Sequence, residues 1–195
     1  MAIAFAIALG IVSVSRLFAP IFWGEDFAPC AYILSALALS IPFSGFANVI
    51  RMQYLIPNGM DGAYILSVIL GAVSNLTANS LLIPRCGALG AAVGTVIAEG
   101  VVCAAQCLAV KKRIDILAYL KSTAFFGMAG LLMYGAVRVL DQRAEITVSW
   151  LLLEIIVGGS VYCILSVLYL YHTKNELLMT ALQKLGGAHQ NNDRG

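Results

Sequence analysis

Six polar side chains stand in stretches that are otherwise apolar. Arg16 follows Ser13 and Ser15 in "VSVSRLFAP"; Arg51 and Gln53 sit in "NVIRMQYLIP"; Asn75 and Asn79 are one helical turn apart in "SNLTANS"; Glu99 lies in "GTVIAEGVV". A guanidinium is a planar, permanently charged fork suited to phosphate or carboxylate. Amides hold hydroxyls, and a carboxylate inside a membrane takes a proton, a cation or a hydrogen-bond donor. The carboxylates outside the apolar runs, Glu25, Asp26, Asp61, Asp115, Asp141 and Glu145, are scattered, and both histidines, His172 and His189, fall in the C-terminal stretch. No Gly-rich phosphate loop, zinc-type Cys/His spacing or G-x-S-x-G turn occurs. A transferase-type membrane enzyme needs a clustered acid–histidine site at an interface, so no enzyme, no metal and no cofactor is expected.

The elements that position these residues follow from composition. Of 195 residues, 61% are hydrophobic and 11% charged, against about 25% charged in soluble domains. A membrane protein is expected. The net charge of +2 offers no basic field for nucleic acid. A span needs about 20 mainly apolar residues, and the runs at 2–23, 30–56, 61–83, 88–110, 117–139 and 148–171 qualify, predicting an all-α bundle of about six transmembrane helices over 1–171. Residues 1–23 lack a basic start and a small-residue cleavage pattern, so they read as a retained span rather than a signal peptide. Residues 172–195 are expected to form a cytoplasmic tail, first a short amphipathic helix and then disorder. With the N-terminus on one side, that side collects Arg51, Lys111, Lys112, Arg113, Lys121, Lys174, Lys184 and Arg194, against Arg85, Arg138 and Arg143 on the other. The asymmetry predicts both termini in the cytoplasm. The five cysteines, Cys30, Cys86, Cys103, Cys107 and Cys163, read as small apolar fillers.

Each candidate has a structural reading beside a functional one. Glu99 is the midpoint of 88–110, ~16 Å from either end, and a charge there costs about 2.5–3.5 kcal/mol. It must be neutral, paired or facing water, as a helix–helix lock or as the wall of a lumen. Arg16 is ~10 Å from a helix end, within snorkelling reach or on a wet face. Arg51 and Glu154 read as interface anchors, Arg51 with a lumenal role as the alternative. Asn75 and Asn79 share a face with Ser67, Gly71, Ser74 and Ala78, a small-and-polar stripe suited to close packing. Gly90 and Gly94 form a G-x-x-x-G face expected to draw in a neighbour, with the Asn75/Asn79 helix as the candidate and Glu99 beside the contact. Pro42, in "LSIPFSGF", should interrupt its helix, either as a bending point or as a packing device.

Three blocks carry a resemblance to a known family. "PIFWGEDF" closes the first helix. "FSGFANVIRMQYLIPNGMD" carries Asn48, Gln53, Pro57 and Gly59 at a helix end. "GAVSNLTANSLLIPRCGALGAAVGTVIAE" joins paired asparagines, Ile-Pro, Gly and Gly-Ala-Ala to a terminal Glu. In order and spacing these resemble the C-terminal part of bacterial polysaccharide flippases, the Wzx-type exporters of O-antigen and capsule repeat units, which share a superfamily with MurJ-type lipid II flippases and MATE antiporters. The similarity runs from about residue 10 to 112.

The resemblance implies transfer of an undecaprenyl-diphosphate-linked oligosaccharide across the bacterial cytoplasmic membrane for cell-surface polysaccharide synthesis. Two lobes would enclose a cavity open to each side in turn. It implies Arg16 first and Arg51 second as diphosphate contacts, with Gln53, Asn75, Asn79 and Glu99 meeting sugar or setting lobe packing. Partners are then the lipid-linked oligosaccharide, membrane lipids, and an N-terminal lobe or a second copy. The chain resembles one lobe, and Met1 at the start of a helix suggests a truncated reading frame, an internal start or a split gene. The alternatives are a cation-coupled drug or solute antiporter of the same superfamily, with Glu99 as the cation carrier, and a non-functional remnant.

Overall fold

The computed structural model describes residues 1–141 and 146–172, apart from the side chains of Ser122 and His172. Within them the fold is all helical: α1 (Ala2–Trp23), α2 (Cys30–Ala38), α3 (Ser40–Ile50), α4 (Asp61–Val110), α5 (Ile116–Asp141) and α6 (Val148–His172). Five segments are long and apolar enough to cross a membrane, α2 and α3 counting as one with the turn that follows them. The expected tail lies outside the described residues.

The interruption at Pro42 is present. Pro42 has no N–H for the carbonyl of Ala38, and its ring crowds that carbonyl. The chain leaves α2 through a tighter bond, Leu39 N–H to Ala36 O at 3.1 Å, before resuming as α3. The predicted single span at 30–56 is therefore three pieces, the last a wide turn over Arg51–Leu55 closed by Ile56 N–H to Arg51 O at 3.0 Å. Such five-residue bonds shift the helical register by one residue, often at functional positions.

The 50-residue α4 would be ~75 Å long if straight, far beyond the ~30 Å apolar core of a bilayer. It doubles back at Gly87, whose φ of 56° and ψ of −134° lie where only glycine sits without strain. Rising residue numbers in one arm meet falling numbers in the other. Gln106 Nε2 donates to Ser67 Oγ at 3.1 Å, Gly71 abuts Val102, Gly94 abuts Asn79, and Gly90 presses on the backbone of Leu82. The arms, 61–86 and 88–110, are the predicted third and fourth spans. The difference lies in the link: the predicted spans leave residues 84–87, "PRCG", between them as a connector, yet helix continues through Cys86 and one glycine makes the reversal. The close approach expected at Gly90 and Gly94 is the seam of this hairpin, and the partner is the arm bearing Asn75 and Asn79.

Helix α1 packs against three neighbours. It is antiparallel to α2–α3, with Ser15 and Ser35 hydroxyls 2.9 Å apart and Ala4 against Gly45. It is parallel to α5, where Phe5 meets Gly127 and Leu9 meets Gly130. It is antiparallel to α6, whose Tyr162 hydroxyl donates to Ala2 O at 2.7 Å. Small residues at these crossings let backbones approach, as helix packing in lipid requires. Outside, Ile65, Leu66, Leu76, Leu131, Leu132 and Ile156 are each more than half exposed. Water would penalise that surface, whereas lipid solvates it, and helices bond most of their own backbone groups as a bilayer demands. The chain is a membrane protein built as a helical bundle.

Candidate functional site: two polar cavities

Arg51 and Glu99 meet in one cavity of about 580 Å³. Helix α3 supplies Ser40, Ser44 and Asn48 along one face, spaced four residues apart, and the wide turn adds Arg51 to that face. The second arm of α4 supplies Glu99, Val102 and Gln106, again one helical face, and the first arm supplies Tyr64 and Val68. The Arg51 guanidinium is held from two sides. It donates to the Asn48 side-chain oxygen and to the Tyr64 hydroxyl at 3.4 Å, with its carbon 5.3 Å from the centre of the Tyr64 ring. A cation over an aromatic face with one amide partner is oriented, and it keeps spare N–H donors for a ligand. Glu99 lines the same wall, half-buried, with no described side chain bonded or ion-paired to it.

Arg16 lies in a second cavity, of about 670 Å³, with Ser13, Ser15, Tyr32, Ser35, Tyr134 and Arg138 among its lining. Here the sequence reading needs extending. Arg16 is not a solitary cation: its Nη1 donates to Asp141 Oδ2 at 2.9 Å, and Arg138 Nη1 donates to the same oxygen at 3.0 Å. Arg138 Nε also donates to the Tyr134 hydroxyl at 2.9 Å. The two guanidinium side chains are 61% and 50% exposed, and the carboxylate between them is 2% exposed. Two cations thus face a polar cavity from behind a shared buried anion.

Glu154, expected as an interface anchor, is instead buried, with neither carboxylate oxygen hydrogen-bonded. Its helix turns that face inward, onto a mostly apolar groove walled by Gly10, Ser13, Val137 and Gly158.

The remaining candidates fall elsewhere. Gln53 is exposed beside a small pocket of about 160 Å³ with Tyr119 and Thr123. Asn79 donates to Asn75 Oδ1 at 2.9 Å and its own oxygen points at Gly94, so the pair occupies the seam of the α4 hairpin and lines neither cavity. Sequence reasoning passed over Tyr64, Gln106, Tyr134, Arg138 and Asp141. The spacing of Gln106 from Glu99, seven residues on one helical face, was a usable signal. Nothing local marked Asp141 as the partner of a residue 125 positions earlier.

No protein-family description, curated protein or solved structure matches the chain.

Proposed function

We propose that the chain forms one lobe of a lipid-linked oligosaccharide flippase in the bacterial cytoplasmic membrane. In this reading the two arms of α4 each cross the bilayer, giving six crossings with both termini cytoplasmic, and the substrate is an undecaprenyl-diphosphate-linked repeat unit. The observation that carries it is the pair of arginine-bearing polar cavities inside a bundle whose outer surface is apolar. They are offset along α1, one beside Ala4 and the other beside Arg16, ~18 Å apart at 1.5 Å per residue. Such an amphiphile needs cations for the diphosphate and hydrogen-bonding groups for the glycan. It also needs lipid for its tail, and the apolar outer faces of the helices supply that boundary. Arg51 and Arg16 are the diphosphate contacts, and Asn48, Tyr64, Gln106 and Glu99 are the groups that meet sugar. A second reading, cation-coupled export of a small solute, draws on the same unpartnered Glu99.

The test is transport. A six-crossing lobe has one wall of the central cavity, so a matching N-terminal lobe or a second copy is required. Co-expression with such a lobe should restore surface polysaccharide in a flippase-deficient strain, and Arg51→Ala in that pair should abolish the recovery with membrane insertion intact. Export of cationic drugs without any polysaccharide recovery would favour the second reading and overturn the first.

A further inference from the structure

The Arg51–Glu99 cavity is polarised, and the polarity names a substrate class. Among the described residues its lining holds one cation, fixed at one end: Arg51 is tied to Asn48 on α3 and to Tyr64 on α4. Gln106 marks the same level, because it bonds Ser67, one turn from Tyr64. Glu99 lies seven residues from Gln106 on the same wall, a rise of about 10 Å. A ligand filling the space from Arg51 to Glu99 therefore places an anion at one end and meets a carboxyl group at the other. The hydroxyls of Ser40 and Ser44 and the apolar Val68 and Val102 also line this cavity. The interval matches a short saccharide rather than a single ion.

Among the described residues Glu99 has no hydrogen-bonding or ion-pairing partner. Arg51, with its donors directed to Asn48 and Tyr64, does not neutralise it by contact. In a partly dry cavity such a group favours a donor that brings positive charge and opposes one that brings negative charge.

We propose that this cavity selects an anion-linked glycan bearing a free amino group on its distal sugar, the phosphate end at Arg51 and the ammonium at Glu99. The proposal rests on the flippase reading of the same cavity and narrows its substrate. An N-acetylated sugar is accepted more weakly, since its amide donates without charge. A uronic acid is rejected, since its carboxylate would face Glu99.

Binding decides it. The full chain in lipid nanodiscs would be titrated with three short-chain polyprenyl-diphosphate disaccharides whose distal sugar is glucosamine, N-acetylglucosamine or glucuronic acid. The amine should bind tightest, on the order of tenfold tighter than the N-acetyl form, and the uronate weakest. Glu99→Gln keeps size and hydrogen bonding, so it should fold as the parent does by circular dichroism, remove the preference for the amine and relieve the rejection of the uronate. Arg51→Gln should weaken all three probes alike. Equal binding of the three probes, lost in Arg51→Gln and unchanged in Glu99→Gln, would overturn the selectivity and leave the flippase reading standing. Failure of all three to bind the parent chain would overturn the flippase reading of the cavity together with the inference built on it.

Discussion

Replacing Gly90 by alanine tests the hairpin in which α4 folds back on itself. A Cβ built on Gly90 would lie 2.4 Å from the carbonyl oxygen of Leu82 and 3.0 Å from the amide nitrogen of Ile83. Ordinary contact begins near 3.4 Å, so the arms must part by about 1 Å. The obstructing atoms are backbone and have no rotamer to escape into. Overpacking of this kind costs about 1–3 kcal/mol. Against it stands a gain of about 1 kcal/mol from the better helix former. Gly100 is the control: it lies on the same arm with nothing within 4 Å of a built Cβ, so Gly100→Ala collects the propensity gain alone. The difference between the two variants isolates the packing cost, with Gly90→Ala the less stable by about 1–3 kcal/mol. Reversible unfolding in mixed micelles, followed by circular dichroism, measures it. Disulfide formation between cysteines placed at 67 and 106 in a cysteine-free background reports whether the arms still meet. Equal stability of the two variants would refute the antiparallel arrangement.

Three further outcomes follow from named contacts. A double-mutant cycle between Arg16→Gln and Asp141→Asn should give a coupling of about 0.2–1 kcal/mol, because the exposed Arg16 is screened and Arg138 holds the same oxygen; zero coupling would dissolve the ion pair. Ser67→Ala, which leaves the buried Gln106 amide without its acceptor, should cost about 1–3 kcal/mol. Adding Gln106→Leu should recover part of that loss, and a further loss of similar size would refute the hydrogen bond. Pro42→Ala restores a donor for the Ala38 carbonyl, so hydrogen exchange at position 42 should be slow and α2–α3 more stable; in a completed two-lobed transporter, unchanged transport would assign the interruption to packing alone.

Length and polarity of the runs placed every long helix within a few residues, because a bilayer imposes both. Pro42 announced its own interruption, and the glycines of the fourth predicted span announced a seam. What the sequence left out was how sharply the chain reverses. The four residues "PRCG" read as a link between the predicted spans by their Pro, Arg and Gly, yet three of the four are helical and Gly87 alone turns the chain. Turn chemistry is local, but whether a turn takes four residues or one is set by the packing of the arms it joins, and that packing is a property of pairs. The same limit applies to the wide turn at Arg51. Arg51 itself follows Ser44 and Asn48 at ordinary helical spacing, while the one-residue shift acts on the residues after it, and no feature of "RMQYL" foretells it.

The charged groups show where single-residue reasoning stops. A depth argument asks what one buried charge costs, and for Arg16 it returned two answers, snorkelling or a wet face. The structure returns a third: Arg16 is half of a cationic pair whose counter-charge, Asp141, is buried beneath it. An anion entering that cavity must share both guanidinium groups with a carboxylate already there, and each guanidinium offers only the donors left over. Arg51 has no such internal competitor: its partners are a neutral amide and a neutral hydroxyl. Arg51 therefore keeps donors that no carboxylate of its own already occupies. In the flippase reading proposed above, the Arg51 cavity is then the better prepared for an anion, and the Arg16 cavity becomes available to one only to the extent that Asp141 yields.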